Sequence, residues 1–176
     1  ERERERERDF SHIHYRLFQY IQGANMNFSR IPMSFPILTG IVPDSGPFGS
    51  PSFIVRFFLP TQYQESPPVP LTELQLHVEY WDSLCVAVRS FSGFALDEII
   101  AKEANLLETG LKKSPWANVT MGSSHSGNHD AYTISRYNIS PLKHGARKNE
   151  VWVTLSGPLI TDRCGTINES DHISAL

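Results

Sequence analysis

An imidazole and a phenyl ring one helical turn apart, His14 and Phe18, open the chemical inventory of this chain. On a helix their i,i+4 spacing puts both on one face, offset from the face that carries Leu17. A histidine and an aromatic ring sharing a second face can line a groove for an apolar ligand. The competing reading is a solvated histidine beside a core aromatic. Cations gather at Lys143, Arg147 and Lys148, and Arg16 lies on the helix itself. Exposed pairs of this kind are worth roughly 0.2–1 kcal/mol each, enough to orient an anionic group but not to hold it. His125 and His129 are also four apart, but they fall in Gly122-Ser-Ser-His-Ser-Gly-Asn-His-Asp130, a loop composition with no cysteine or carboxylate motif to complete a metal site. His12 and His14 point to different helix faces and make poor joint ligands. There is no Gly-x-Ser-x-Gly elbow, His-Glu-x-x-His, Cys-x-x-Cys or phosphate-cradling glycine loop, so the chain is expected not to be an enzyme.

The composition fits one domain. The chain has 176 residues, 40% hydrophobic and 20% charged, and contains no apolar run near the ~18 residues that span a bilayer, so no membrane span is expected. A net charge of −3 and a pI near 6.2 give no electrostatic basis for nucleic-acid binding.

His14 and Phe18 need a helix to position them, and the pattern predicts one over residues 9–22, with Asp9 as N-cap and Gly23 as the C′ stop. Phe10, Ile13, Leu17 and Ile21 are its expected core face. Strands are predicted over 30–42 and 53–59, separated by the turn-rich residues 43–49. A proline-rich loop then leads to strands over 74–80 and 85–91. A second helix over 96–113 has the apolar stripe Ile99, Ile100, Leu106, Leu107 and Leu111, with Asp97 and Glu98 in its first turn and Lys112 and Lys113 in its last. Strands over 131–137 and 150–155 follow. The order reads as two βαββ units, the first lacking its leading strand.

Taken in order, His14-Tyr-Arg-Leu-Phe-Gln-Tyr-Ile-Gln-Gly-Ala-Asn25, Arg30-Ile-Pro-Met-Ser-Phe-Pro-Ile-Leu38, Phe57-Phe-Leu-Pro60, Pro67-Pro68-Val69-Pro70, Val88-Arg-Ser-Phe-Ser-Gly-Phe94 and Asn149-Glu-Val-Trp152 resemble the SOUL heme-binding protein family. The resemblance runs from about Phe10 to Trp152. The helix and Ser114-Pro-Trp-Ala-Asn118 look most like the plant branch. The resemblance implies an α+β fold, an antiparallel sheet curled into a distorted barrel with two helices in pseudo-twofold βαββ repeats. It also implies reversible, non-catalytic binding of heme or another tetrapyrrole as carrier or buffer.

Carried over by position, the tetrapyrrole groove beside the first helix would involve His14, Leu17, Phe18, Gln19, Ile21 and Lys143, with His14 as candidate axial ligand. The alternatives are a SOUL-type protein-interaction module that does not bind heme, with a protein partner of unknown kind, and an incomplete gene product. On this reading residues 1–8 are a low-complexity Glu-Arg leader, solvated and frayed. Residues 9–156 are the SOUL domain, and 157–176 a flexible tail. The family's leading strands are expected to be missing, and the exposed sheet edge this leaves is expected to promote dimerisation.

Two signals bear on compartment. Asn27-Phe-Ser29, Asn118-Val-Thr120, Asn138-Ile-Ser140 and Asn168-Glu-Ser170 are four glycosylation sequons, where about one is expected by chance. Cys85 and Cys164 are the only cysteines, either a pair spanning about 80 residues or separate buried thiols. A secreted or secretory-pathway glycoprotein is expected; the alternative is a cytoplasmic protein with chance sequons.

Overall fold

The structure is a computed structural model and describes residues 2–43, 52–81, 84–117, 120–121, 130–137, 147–156 and 173–175. Helix α1 spans Arg2–Ile21. It begins seven residues before Asp9 because Glu and Arg are both strong helix formers, so the alternating stretch is helical and Asp9 lies inside the helix instead of capping it. Gly23, at φ +113°, ends the helix in a conformation that a side chain would strain.

The strands are β1 (Ile37–Val42), β2 (Ser52–Phe57), β3 (Glu79–Trp81), β4 (Val86–Ser92), β5 (Thr120–Met121), β6 (Tyr132–Arg136), β7 (Lys148–Ser156) and β8 (Ile173–Ala175). Helix α2 (Asp97–Lys112) follows β4, with Asp97 and Glu98 in its first turn and Lys112 in its last, as the helix dipole favours. Two 3₁₀ turns, Thr61–Tyr63 and Thr72–Leu74, occupy the proline-rich connection.

The main sheet is antiparallel in the order β2-β1-β6-β7-β4, and β5 also pairs with β7. Strand β8 pairs with β3 in a separate ladder, so part of the stretch expected to be a loose tail returns to the body of the protein. The expected barrel is open: among the described residues β2 and β4 are edges, and no ladder joins them. The two expected units meet where β1 pairs with β6, and each unit seats its own helix. Leu17, Tyr20 and Ile21 of α1 pack with Ile37, Val55 and Phe57 of β1 and β2. Ile100 of α2 packs with Ile41 and Ile134, and Leu107 with Val151 and Val153. Of the adjacent pair Leu106 and Leu107 only the second is buried, because neighbours on a helix lie about 100° apart and cannot both face the sheet.

A buried ion pair ties the layers together. Arg56 on β2 donates to Asp130 Oδ2 at 3.0 Å and to Glu79 Oε2 at 2.8 Å, and lies over the Trp81 ring. The Asp130 carboxylate fills the space that a Cβ at residue 40 would need, so glycine is required at Gly40. The expected turn at 43–49 lies largely outside the described residues, as do Lys143, the His125 and His129 loop, and Cys164.

Candidate functional site

Two flanks of α1 rise from its core face. At about 100° per residue, Arg16 and Tyr20 lie together, while His14 and Phe18 lie roughly opposite them. Tyr15 is 60% exposed and Phe18 49%, an aromatic surface that the core does not use. His14 and Gln19 are half-buried beside it. Leu17 and Ile21 are buried in the core. The six expected groove residues are therefore distributed. His14, Phe18 and Gln19 reach solvent, Leu17 and Ile21 support the helix from below, and Lys143 is outside the described residues.

The expected cationic cluster is largely committed to the protein itself. Lys148 Nζ is 2.8 Å from Glu150 Oε1 and 4.5 Å from the centre of the Tyr137 ring. Arg147 lies 4.1 Å over the Phe94 ring. Glu150 also accepts from Ser90 Oγ at 3.2 Å, Tyr137 Oη at 2.8 Å and Trp152 Nε1 at 2.9 Å. Burial alone would raise the Glu150 carboxyl, but the hydrogen bonds from Lys148, Trp152 and Tyr137 outweigh it and hold the group below the usual carboxylate range. Glu150 is thus saturated by its neighbours and not poised for acid–base work, while Arg147 Nε is buried without a hydrogen-bond partner among the described residues. Among the described residues no group of histidine, cysteine or carboxylate side chains could hold a metal ion by itself.

The other flank of α1 bonds to two segments that enclose a cavity of about 560 Å³, to whose lining α1 itself contributes no residue. One wall is the strip Pro67–Pro70 and the other is residues 72–80, with Val69, Leu76, Val78 and Tyr80 as apolar or aromatic lining and His77 between them. Three bonds fix these walls. Tyr20 Oη donates to the Pro68 carbonyl at 2.7 Å, and burial pushes this phenol up to about 12. Met26 N donates to the Val69 carbonyl at 2.8 Å. Arg16 Nη1 donates to Gln75 Oε1 at 2.9 Å, anchoring a residue in the left-handed region at φ +51°.

The Met26 bond depends on Asn25, which is fully buried. Its Nδ2 donates to the carbonyls of Tyr20 and Ser29, and its Oδ1 accepts from the amides of Asn27 and Ser29. The turn it holds leaves Met26 and Phe28 outside, Phe28 82% exposed, and Met33 and Phe35 follow, also exposed.

Sequence reasoning missed His77 and the cavity because residues 74–80 alternate like a strand. The backbone is instead a 3₁₀ turn, a left-handed Gln75 and only then β3 from Glu79. The available signal was Pro67-Pro68-Val69-Pro70, three prolines in four residues, which makes a stiff wall as readily as a loop.

A family model described as SOUL heme-binding protein matches residues 2–154. The chain is 31% identical to heme-binding protein 2 of Homo sapiens over 138 residues, 78% of the chain and 62% of that relative. It is 30% identical to heme-binding protein 1 of Xenopus tropicalis over 137 residues, 78% of the chain and 66% of that relative. The chain thus spans less than two thirds of the length of these relatives, both of them animal proteins.

Proposed function

Because the chain belongs to the SOUL heme-binding protein family, we propose that it binds heme or a related tetrapyrrole reversibly and without chemistry, as a carrier or buffer, beside α1. The observation that carries this reading is the family match across residues 2–154, which takes in α1, both walls of the cavity and the main sheet up to the last two residues of β7. Physical support comes from the surface that α1 presents at Tyr15, Phe18 and His14 and from the apolar-walled cavity between Pro67–Pro70 and residues 72–80. A flat macrocycle needs surfaces of this kind. The names of the relatives describe binding, not catalysis.

The test is a titration of the chain with ferric heme, following the Soret band and the quenching of tryptophan fluorescence. Saturation at one equivalent is the expected result. A linear, unsaturable response would remove the tetrapyrrole reading and leave the second one, a SOUL-type protein-interaction module. The observation favouring that alternative is the exposed run Met26, Phe28, Met33 and Phe35.

We further assign the chain to the secretory pathway or the cell exterior. Cys85 is disulfide-bonded, and Asn27 of the first sequon is exposed. The other three sequon asparagines, Asn118, Asn138 and Asn168, lie outside the described residues.

A further inference from the structure

We propose that Asn27 carries an N-linked glycan and that the first sugar of this glycan covers the exposed ring of Phe28. The proposal rests on the assignment of the chain to the secretory pathway, and names the residue and the surface on which that pathway acts.

The turn after α1 holds Asn27 outward. Asn25 is fully buried and spends its side chain on the turn. Its Oδ1 accepts from the amides of Asn27 and Ser29, both at 3.2 Å, and its Nδ2 donates to the carbonyls of Tyr20 and Ser29. The backbone of Asn27 is thereby fixed, while its own side chain is exposed and makes no hydrogen bond among the described residues. A bulky substituent on its Nδ2 therefore breaks no bond of the fold. Ser29, which completes the Asn27-Phe28-Ser29 sequon, is half-buried, and its Oγ donates to Asn25 Oδ1 at 3.4 Å. The hydroxyl that marks the sequon is drawn into the turn once the chain folds, so the transfer belongs to the extended, newly made chain. In that step Asn27 Nδ2 forms a bond to C1 of the first N-acetylglucosamine of a polyprenyl-pyrophosphate oligosaccharide. The bond from C1 to the pyrophosphate oxygen breaks, the lipid pyrophosphate leaves with the electron pair, and the proton lost from Nδ2 passes to a base of the transferase.

The neighbouring surface gives the glycan something to cover. Phe28 is 82% exposed and stands at φ +49°, a region in which a bulky residue is strained, and Met26 beside it is also exposed. Over residues 22–43 the single charged residue is Arg30. A soluble surface seldom leaves so apolar a stretch bare. The C–H face of a sugar ring packs on the negative face of an aromatic ring, and the glycan is tethered one residue from Phe28, so the contact is intramolecular.

The experiment takes the wild-type chain from its source and the variants as full chains secreted by cultured eukaryotic cells. A glycan-specific amidase in heavy-oxygen water turns every glycosylated asparagine into a labelled aspartate, which peptide mass spectrometry locates. Asn27 should be labelled. Asn27→Gln should be lighter by one glycan, whereas Ser29→Thr, which keeps the sequon, should retain it. Binding of a surface-hydrophobicity dye should rise when the wild type is stripped of its glycan and should not rise in Phe28→Ser; circular dichroism checks the fold of each variant. Label at Asn118, Asn138 or Asn168 without label at Asn27 overturns the proposal and leaves the compartment standing. No label at any sequon also overturns it, and a free thiol at Cys85 in the same protein removes the compartment assignment as well. Label at Asn27 with unchanged dye binding overturns the covering of Phe28.

Discussion

Glu150 shows why a short signature such as Asn149-Glu-Val-Trp152 can mark a fold without forming a binding site. Its two oxygens collect Ser90, Lys148, Tyr137 and Trp152, so one carboxylate holds together β4, β7 and the residue after β6. Asn149 beside it donates to the Gly93 carbonyl and so fixes the turn into α2. Replacing Glu150 by Gln should cost about 1.5–3 kcal/mol at neutral pH, since hydrogen bonds to a charged group are replaced by weaker ones. The folded-state carboxyl is held below its ordinary value, so its contribution is complete above that value and is lost as pH falls through the lowered one. Urea unfolding of wild type and Glu150→Gln should therefore differ most at neutral pH and converge on acidification. A gap that widens in acid would refute this account. In the sequence the motif was visible as a resemblance, but the role of Glu150 was not, because its partners come from β4, β7 and the end of β6.

At the scale of elements, α1 acts as the frame of the cavity as well as a core helix. Tyr20 is fully buried and hangs the Pro67–Pro70 wall from the helix through a single hydroxyl. Tyr20→Phe should cost about 0.5–1.5 kcal/mol for the lost bond. Burial raises this phenol to about 12, so its stabilising effect is intact below the ordinary tyrosine value of 10.0 and is lost as pH rises through the folded-state value. The alkaline loss of stability between those values should shrink in the variant, as measured by unfolding at neutral and at alkaline pH; an identical loss in both proteins would count against it.

Elements with strong periodicity were legible from the sequence: the stop of α1 at Gly23, α2, and the strands around β1, β6 and β7. Two features were not. The apparent strand over 74–80 fails at Gln75, where a left-handed residue held by Arg16 overrides the alternation. The start of α1 was missed because cancelling side-chain charges say nothing about the backbone preference of Glu and Arg. On α1 itself, the pattern identified Leu17 and Ile21 as core. Which flank bonds to the cavity walls depends on where the proline strip docks, and no local spacing reports that.

For the molecule as a whole, the thiol state and the compartment are one question. Cys85 is disulfide-bonded, and the chain contains one other cysteine, Cys164. A link between the two would contribute up to about 4.5 kcal/mol by restricting the unfolded chain. Protein taken from its source should show no free thiol, and reduction should lower its unfolding free energy by an amount of that order. Two free thiols in the native protein would place it in a reducing compartment instead.

The meeting of β1 with β6 also makes the chain divisible. A cut between Trp81 and Val86 separates α1 with β1 and β2 from α2 with β4, β6 and β7; α1 stays seated on its own strands, while α2 keeps Val151 and Val153 but loses the contact of Ile100 with Ile41. Backbone pairing rejoins the pieces, five residue pairs of β1 with β6 and three of β3 with β8. Each half would then present the strand edges and the buried contacts that the other completes.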